Sequence, residues 1–342
     1  MKWVANCMNV ITGATGLLGS HLAEQLRQDQ KPVRALVRAT SDTSFLRSLG
    51  VELIKGDLAE QASLEVAFNG ADTVFHAAAK VGDWGSKAEF ERETLAGTRH
   101  VVAACLAAGV GRLIHISSTS AYGHPPQGIP PITEDYPLGT KFWIWDDYTR
   151  TKIEAEKAVW EAVRRDGLKA TIIRPSWLYG PRDRLSIARI EQTLRLGRVI
   201  IIGDGANPMN TVYAGNVADA CRLASQSEKA IGQAYNVTSD GVLTQRDYFN
   251  TYADAFGYSR PTKQASYQLV FAGAWLIEAL YRLRMSKKPP FITRYAAWLL
   301  GRRTLYSTEK ARRELGWQPR VEYSEGIRNT VEWFRSQQSF PS

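Results

Sequence analysis

At 342 residues with 44% apolar content, the chain has room for a large packed domain plus a smaller one, and its composition excludes an intrinsically disordered protein. Net charge of +9 favours anionic ligands, either a phosphorylated cofactor or an acidic membrane surface, while the lack of any nucleic-acid-binding motif or uninterrupted basic run argues against a nucleic-acid partner. Cys7, Cys105 and Cys221 are far apart and without metal-ligand spacing, and residues 1–6 lack the apolar core of a secretory signal; a cytoplasmic protein with no disulfide framework and no metal site is expected.

Residues 9–11 read as a short buried strand that runs into Thr12-Gly13-Ala14-Thr15-Gly16-Leu17-Leu18-Gly19 and then an amphipathic helix ending near Gln28. A strand, a glycine turn and a helix N-terminus make a site for a pyrophosphate: Gly13 permits the turn, Gly16 lets the backbone approach, and Gly19 lets the helix pack on the strand. Gly13, Thr15, Gly16, Leu17 and Leu18 are therefore candidate cofactor contacts. The second strand, 33–37, ends where such a fold tests the ribose 2′ position, about 20 residues beyond the glycines. No carboxylate stands there. Val37 occupies the acidic site, and Arg38 and Ser41 follow, so a 2′-phosphate finds a cation and a hydroxyl; NADP(H) is preferred, with NAD(H) open because Asp42 could swing in.

A third strand, 51–54, leads to Gly56-Asp57-Leu58, where Asp57 could accept from an adenine amine or cap a helix over about 60–68, with Leu58 beside it. The fourth strand, 73–75, is followed by His76, a structural hydrogen-bonding residue, and by Ala77, Ala78 and Ala79, whose small side chains leave room for a cofactor. One long helix over about 88–108 and a fifth strand, 112–116, lead to the hydroxyl run Ser117-Ser118-Thr119-Ser120. This alternation predicts an α/β fold, a doubly wound parallel sheet with ligands at its carboxyl edge. Between residues 124 and 147 lies a loop rich in proline and aromatics, long enough to serve as a substrate wall or lid, with Trp143 and Trp145 as candidate contacts. Tyr148 and Lys152 follow, four apart and so on one helix face, where an ammonium can lower a phenol's pKa from about 10 and ready it for proton transfer.

With these parts in order, the chain resembles the extended short-chain dehydrogenase/reductase family over nearly its whole length. The resemblance rests on TGATGLLG (12–19), GDL (56–58), DTVFHAAA (72–79), SSTSAYG (117–123), YTRTK (148–152), RPSWLYGP (174–181), VYAGNVADA (212–220) and EKARRELGWQP (309–319). It implies Ser118 as the catalytic hydroxyl, with Thr119 as fallback, Tyr148 as general acid/base, and Lys152 as the group that binds the nicotinamide ribose and depresses the Tyr148 pKa. It further implies Ser117, Pro175 and Trp177 beside the cofactor, and Trp84, Thr119, Tyr179, Trp143 and Trp145 around the substrate. Thr94 stands where members usually carry asparagine. Trp177 and Asn210 stand where sugar-nucleotide members carry an asparagine and an arginine, an exchange that favours a less polar ligand. The run 213–218 is closest to the 3β-hydroxysteroid and sterol dehydrogenase branch.

The same resemblance implies a dinucleotide-binding domain over 1–175 and 212–238, a substrate-binding cap over 176–211 and 239–342, and a homodimer formed by the helix at Tyr148 and the one before the fifth strand. Within the cap, 268–303 combines an apolar run too short to span a bilayer with Arg282, Arg284, Lys287, Lys288, Arg294, Arg302 and Arg303. Such a segment can either lie on an anionic membrane or close the cap over its own pocket. The first functional reading is an NADP(H)-preferring oxidoreductase of an apolar alcohol or ketone, steroid-like or long-chain. A sugar-nucleotide epimerase or dehydratase with retained NAD is the second, and a non-catalytic nucleotide-binding regulator the third.

Overall fold

The computed structural model describes residues 7–238, 243–286 and 288–338; the stretches 1–6, 239–242 and 339–342 and the cation Lys287 lie outside the described residues. Six strands form first, β1 (Asn9–Thr12), β2 (Val33–Val37), β3 (Glu52–Lys55), β4 (Thr73–His76), β5 (Arg112–Ile116) and β6 (Ala170–Pro175). The short strands β7 (Trp177–Tyr179), β8 (Ile201–Ile202) and β9 (Thr211–Tyr213) precede β10 (Ala234–Val237), and β11 (Gln264–Ala265) comes last. β1, β4, β5, β6 and β10 are buried along their whole length, so they carry continuous rather than alternating apolar character. All pairings in the main sheet are parallel, in the order β10-β6-β5-β4-β1-β2-β3. That is the doubly wound arrangement, with its reversal of strand order between β1 and β4.

Helices cover both faces. On one face α1 (Leu17–Gln28) joins α8 (Ala214–Gln226) and α12 (Glu309–Leu315) in a core with Ile11, Phe75, Ile114 and Trp317. The short α2 (Ser44–Ser48) sends Leu46 into it. On the other face α3 (Gln61–Phe68), α5 (Gly97–Ala107) and α6 (Asp147–Asp166) pack on Val10, Val74, Leu113 and Ile172. The single helix expected over 88–108 is in fact α4 (Lys87–Phe90), a π-helical turn (Glu91–Ala96) and α5. Apolar spacing registers the average period and does not reveal a locally widened turn. At its centre Thr94 is buried; its hydroxyl accepts from the Lys80 amide (3.2 Å) and its carbonyl from Thr98 Oγ1 (2.7 Å), so the residue that replaces asparagine ties this turn to the loop after β4.

A separate apolar cluster lies beyond the sheet. It joins α7 (Ser186–Arg195), α9 (Gln245–Phe256) and α13 (Tyr323–Gln338) through Ile187, Tyr248, Tyr252 and Ile327. α10 (Tyr267–Leu283) and α11 (Arg294–Gly301) pack on each other, and Trp84 Nε1 donates to Ser286 O (3.1 Å), pinning the end of α10 to the loop after β4.

Candidate active site

The glycine turn after β1 is shaped by close approach rather than by flexibility. Gly13 has φ +74°, and a Cβ there would stand 2.7 Å from Ala78 N and 2.9 Å from Ala77 C, so the ends of β1 and β4 converge too tightly for any other residue. At Gly19 a Cβ would lie 2.2 Å from Gly13 O, which makes glycine obligatory for seating α1 on the turn. Gly16 caps α1 without a side-chain bond and the first turn holds no acid, leaving amides and the positive end of the helix directed at the turn. This cradle fits a dinucleotide pyrophosphate. Thr15 and Leu17 are half-buried at its rim, whereas the Leu18 side chain belongs to the core, so Leu18 has only its amide to offer. Ala77, Ala78 and Ala79 line the facing wall.

Arg38 is exposed at the end of β2, and Asp42 lies on the loop that follows. The Asp42 carboxylate accepts from Ser44 N (3.1 Å), Ser44 Oγ (2.7 Å) and Arg184 (2.8 Å), contacts that hold its pKa down at about 2. Asp57 does not cap α3, whose N-cap is Glu60; its Oδ1 accepts from Ala59 N (2.9 Å) in the turn before that helix. Leu58 packs under Gly97, and its carbonyl bonds His100 Nδ1 (2.7 Å). His76 is the structural residue expected, bridging Thr12 Oγ1 (2.8 Å) and Thr98 Oγ1 (3.1 Å).

Where β5 ends, Ser118 is fully extended (φ −164°, ψ 155°), and its hydroxyl accepts from Ser120 N at 3.1 Å. Successive side chains therefore turn opposite ways. The Ser117 hydroxyl donates to Glu156 Oε2 (2.5 Å), which ties the end of β5 to α6. Ser118 and Ser120 face the Tyr148 phenol and favour its anion, although Ser120 Oγ has no partner at full hydrogen-bond geometry. Ser120, not the fallback Thr119, is thus the second hydroxyl at the phenol; Thr119 is buried at the start of the 3₁₀ turn Thr119–Tyr122.

Tyr148 and Lys152 do share one face of α6. The direction of the phenol's pKa is opposite to the one expected: burial, Asp146 and Asp83 raise it against the pull of Ser118 and Ser120. Lys152 is buried, its Nζ donates to Ile116 O (3.3 Å), and burial brings its pKa down to about 8 while Glu156, one turn on, resists. Glu156 had no place in the sequence reading, yet it anchors the floor of the site. It is fully buried, takes Arg174 in a bidentate pair (Nη2 to Oε1 at 2.5 Å, Nε to Oε2 at 3.2 Å) and accepts from Trp160 Nε1 (3.0 Å). Arg174 passes the network on to Tyr122 (2.7 Å) and thence to Asn236 (2.7 Å). The spacing of Lys152 and Glu156 on α6 was its only trace in the sequence.

Above the phenol, aromatic side chains from three segments converge. Tyr148 meets Phe90 (6.3 Å) and Tyr295 (5.8 Å) edge-on. Trp143 stacks on Trp145 (4.7 Å) and contacts His124 (3.8 Å), Trp298 (5.9 Å) and Phe271 (5.8 Å), while Arg294 sits over Trp145 at 3.7 Å. α11 therefore closes over Tyr148, and the Asp83 carboxylate, which accepts from the Thr293 hydroxyl, clamps its start to the loop after β4. Trp84 is part of this clamp, edge-on to Tyr281 (6.4 Å) and beneath Arg282 (5.0 Å). Pro175 is buried at the end of β6. Trp177 is half-buried and leans on Tyr248 (5.9 Å) at the edge of the second cluster. Tyr179 is 2% exposed, packed between Tyr213 (5.7 Å) and α13, where a Cβ on Gly326 would come within 2.9 Å of its ring, so it supports the cluster.

Residues 9–238 match the NAD dependent epimerase/dehydratase family. The chain is similar to a 2-alkyl-3-oxoalkanoate reductase of Stenotrophomonas maltophilia (strain K279a), 34% identical over 93% of this chain and 97% of the relative. It is 32% identical to the 3beta-hydroxysteroid-dehydrogenase/decarboxylase isoform 1 of Arabidopsis thaliana, over 95% of this chain and 79% of the relative. Among solved structures, gox2253 superposes with a TM-score of 0.80 at 28% identity, covering 98% of this chain and 99% of that one. The dTDP-glucose 4,6-dehydratase DesIV of Streptomyces venezuelae, solved with NAD and TYD bound, shares the fold (TM-score 0.77, 22% identity, 97% of this chain and 98% of that one). The chain belongs to the NAD dependent epimerase/dehydratase family, as an NAD(P)-dependent extended short-chain dehydrogenase/reductase of the hydroxysteroid dehydrogenase-like branch that works at an alcohol or ketone carbon.

Proposed function

We propose that the protein is an NADP(H)-preferring reductase of an apolar ketone, long-chain or steroid-like, with Tyr148 as the proton carrier. NADP(H), when bound, supplies the hydride that the carbonyl carbon receives. Gly13, Thr15, Gly16 and the Leu17 and Leu18 amides hold its pyrophosphate, and Ala77, Ala78, Ala79, Leu58 and Pro175 border it. Arg38 answers the 2′-phosphate, and Lys152 the nicotinamide ribose. Tyr148 donates its proton to the substrate oxygen while Ser118, seconded by Ser120, donates hydrogen bonds to that oxygen as charge develops on it. A phenol held above its ordinary pKa is protonated at neutral pH, which suits it to act as the acid in reduction.

The observation that carries this reading is the aromatic packing at Tyr148, where Phe90 and Tyr295 meet the phenol ring and Trp298 and Trp143 continue the cluster behind Tyr295, an apolar surround for the reacting carbon. The relative that is a 2-alkyl-3-oxoalkanoate reductase agrees with a branched, long-chain keto substrate. Trp84, Trp143, Trp145 and Trp177 form the substrate walls, and the cap is composed of 176–211 and 239–342 against a cofactor domain of 1–175 and 212–238, except that α12 and Trp317 return to the sheet of the cofactor domain. Two copies pair through α5 and α6, along a groove of about 240 Å³ lined by Val102, Leu106 and Ala158 with Arg99 and Glu161 of opposite charge beside them. The test is NADPH oxidation with long-chain β-keto and steroid ketones. Stoichiometric loss of NADPH absorbance is expected; turnover of a nucleotide sugar with tightly held NAD and no absorbance change would overturn the reading in favour of an epimerase.

A further inference from the structure

The helix α10 has its amphipathicity inverted. Its one acidic residue, Glu278, is buried and faces inward, where it holds Arg294 (2.8 Å) and Arg282 (3.1 Å). Ala274 is the other buried residue of the helix. The outward side carries Leu269, Trp275, Leu276, Leu280 and Leu283, all more than half exposed, at helical spacing on one face. Met285, 87% exposed, and Phe291, 50% exposed, extend this surface past the helix end. An apolar stripe of this length turned to water is costly for a free-standing protein and marks an interaction surface.

We infer that this face of α10 docks on an anionic lipid surface. The basic rim selects that occupant: Arg284 and Lys288 are exposed at the end of the stripe with no acidic side-chain partner among the described residues, and Glu278 is the single acid between 267 and 303. Four leucines and an indole enter the headgroup boundary while the cations meet phosphate groups. A second copy of the chain is a poor occupant, because an isologous contact would oppose cationic rims with no carboxylate to answer them. No helix is long and apolar enough to cross a membrane among the described residues, so the contact lies in the interface plane. Other cations of this segment have partners: Arg302 is buried over Trp298 (4.4 Å), and Arg303 approaches Asp204 on the surface (3.6 Å).

The experiment is vesicle flotation of the full chain with phosphatidylcholine, with and without phosphatidylglycerol, at low and high salt. Flotation with the anionic vesicles, weakened by salt, is expected. Leu276→Glu with Leu280→Glu should cut it by about tenfold or more without moving the unfolding temperature or NADPH oxidation with a water-soluble ketone. Arg284→Glu with Lys288→Glu should remove only the preference for anionic lipid. Absence of flotation with either vesicle, or flotation indifferent to the two glutamates, overturns the inference. So does a loss of oligomer mass in the Leu276/Leu280 variant by light scattering, which would assign the stripe to a second copy.

Discussion

In the proposed reaction Tyr148 is the proton carrier, because two hydroxyls and a dry surround act on one phenol. Replacing it with phenylalanine keeps the ring packing against Phe90 and Tyr295 and removes only the proton carrier, so kcat should fall by about 10²- to 10⁴-fold with NADPH affinity unchanged by fluorescence titration. Ser120→Ala and Ser118→Ala should both lower kcat, and Thr119→Ala should not. Lys152 sets the alkaline limit: its ammonium is lost as pH rises through about 8, so kcat for reduction should be level below that pH and decline above it. Arg38→Ala should raise KM for NADPH by about tenfold, since a charge-assisted contact is lost, and leave KM for NADH nearly unchanged.

At the scale of elements, α10 and α11 act as one hairpin because Glu278 sits between them. The Glu278 side chain is 3% exposed, and Glu278→Ala leaves Arg294 partly buried without its carboxylate. The expected cost is about 2 kcal/mol, read as faster amide exchange in 284–301 with the central strands unaffected. α11 should loosen first, exposing Tyr295 and Trp298 and reducing kcat through a poorer enclosure of Tyr148. The basic segment read from sequence as either a membrane face or a cap closure divides by residue: Arg294 and Arg302 serve the closure, whereas the leucines of α10 face away from it. Net charge and hydropathy could not make that division, because both faces of α10 are apolar and only the partner of Glu278 tells which one is covered.

Across the whole molecule, buried histidines should govern acid stability. Burial pushes His21 and His76 down to about 3 and His115 well below its ordinary 6.5, and neither ring nitrogen of His115 meets a hydrogen-bond partner among the described residues. The unfolded chain binds protons at these sites below pH 6.5 while the folded chain refuses them, so their penalty is absent above that pH and grows as pH falls toward 3. The unfolding temperature should therefore drop steeply between pH 6.5 and 4. His115→Phe, close in volume and without an imidazole to ionise, should flatten that limb and leave the neutral value the same or higher.

Sequence alone determined the wound sheet, the glycine turn and the pairing of Tyr148 with Lys152, because each is written in short-range spacing: buried strands as brief apolar runs, glycines three apart at a strand end, a phenol and an amine one helical turn apart. The π turn at 91–96, the commitment of Ser117 to Glu156, the burial of Tyr179 and the roof that α11 places over Tyr148 were decided only by tertiary structure. Each depends on a partner far along the chain, such as Arg174 for Glu156 or Gly326 for Tyr179, and local propensity holds no record of what folding brings opposite a side chain.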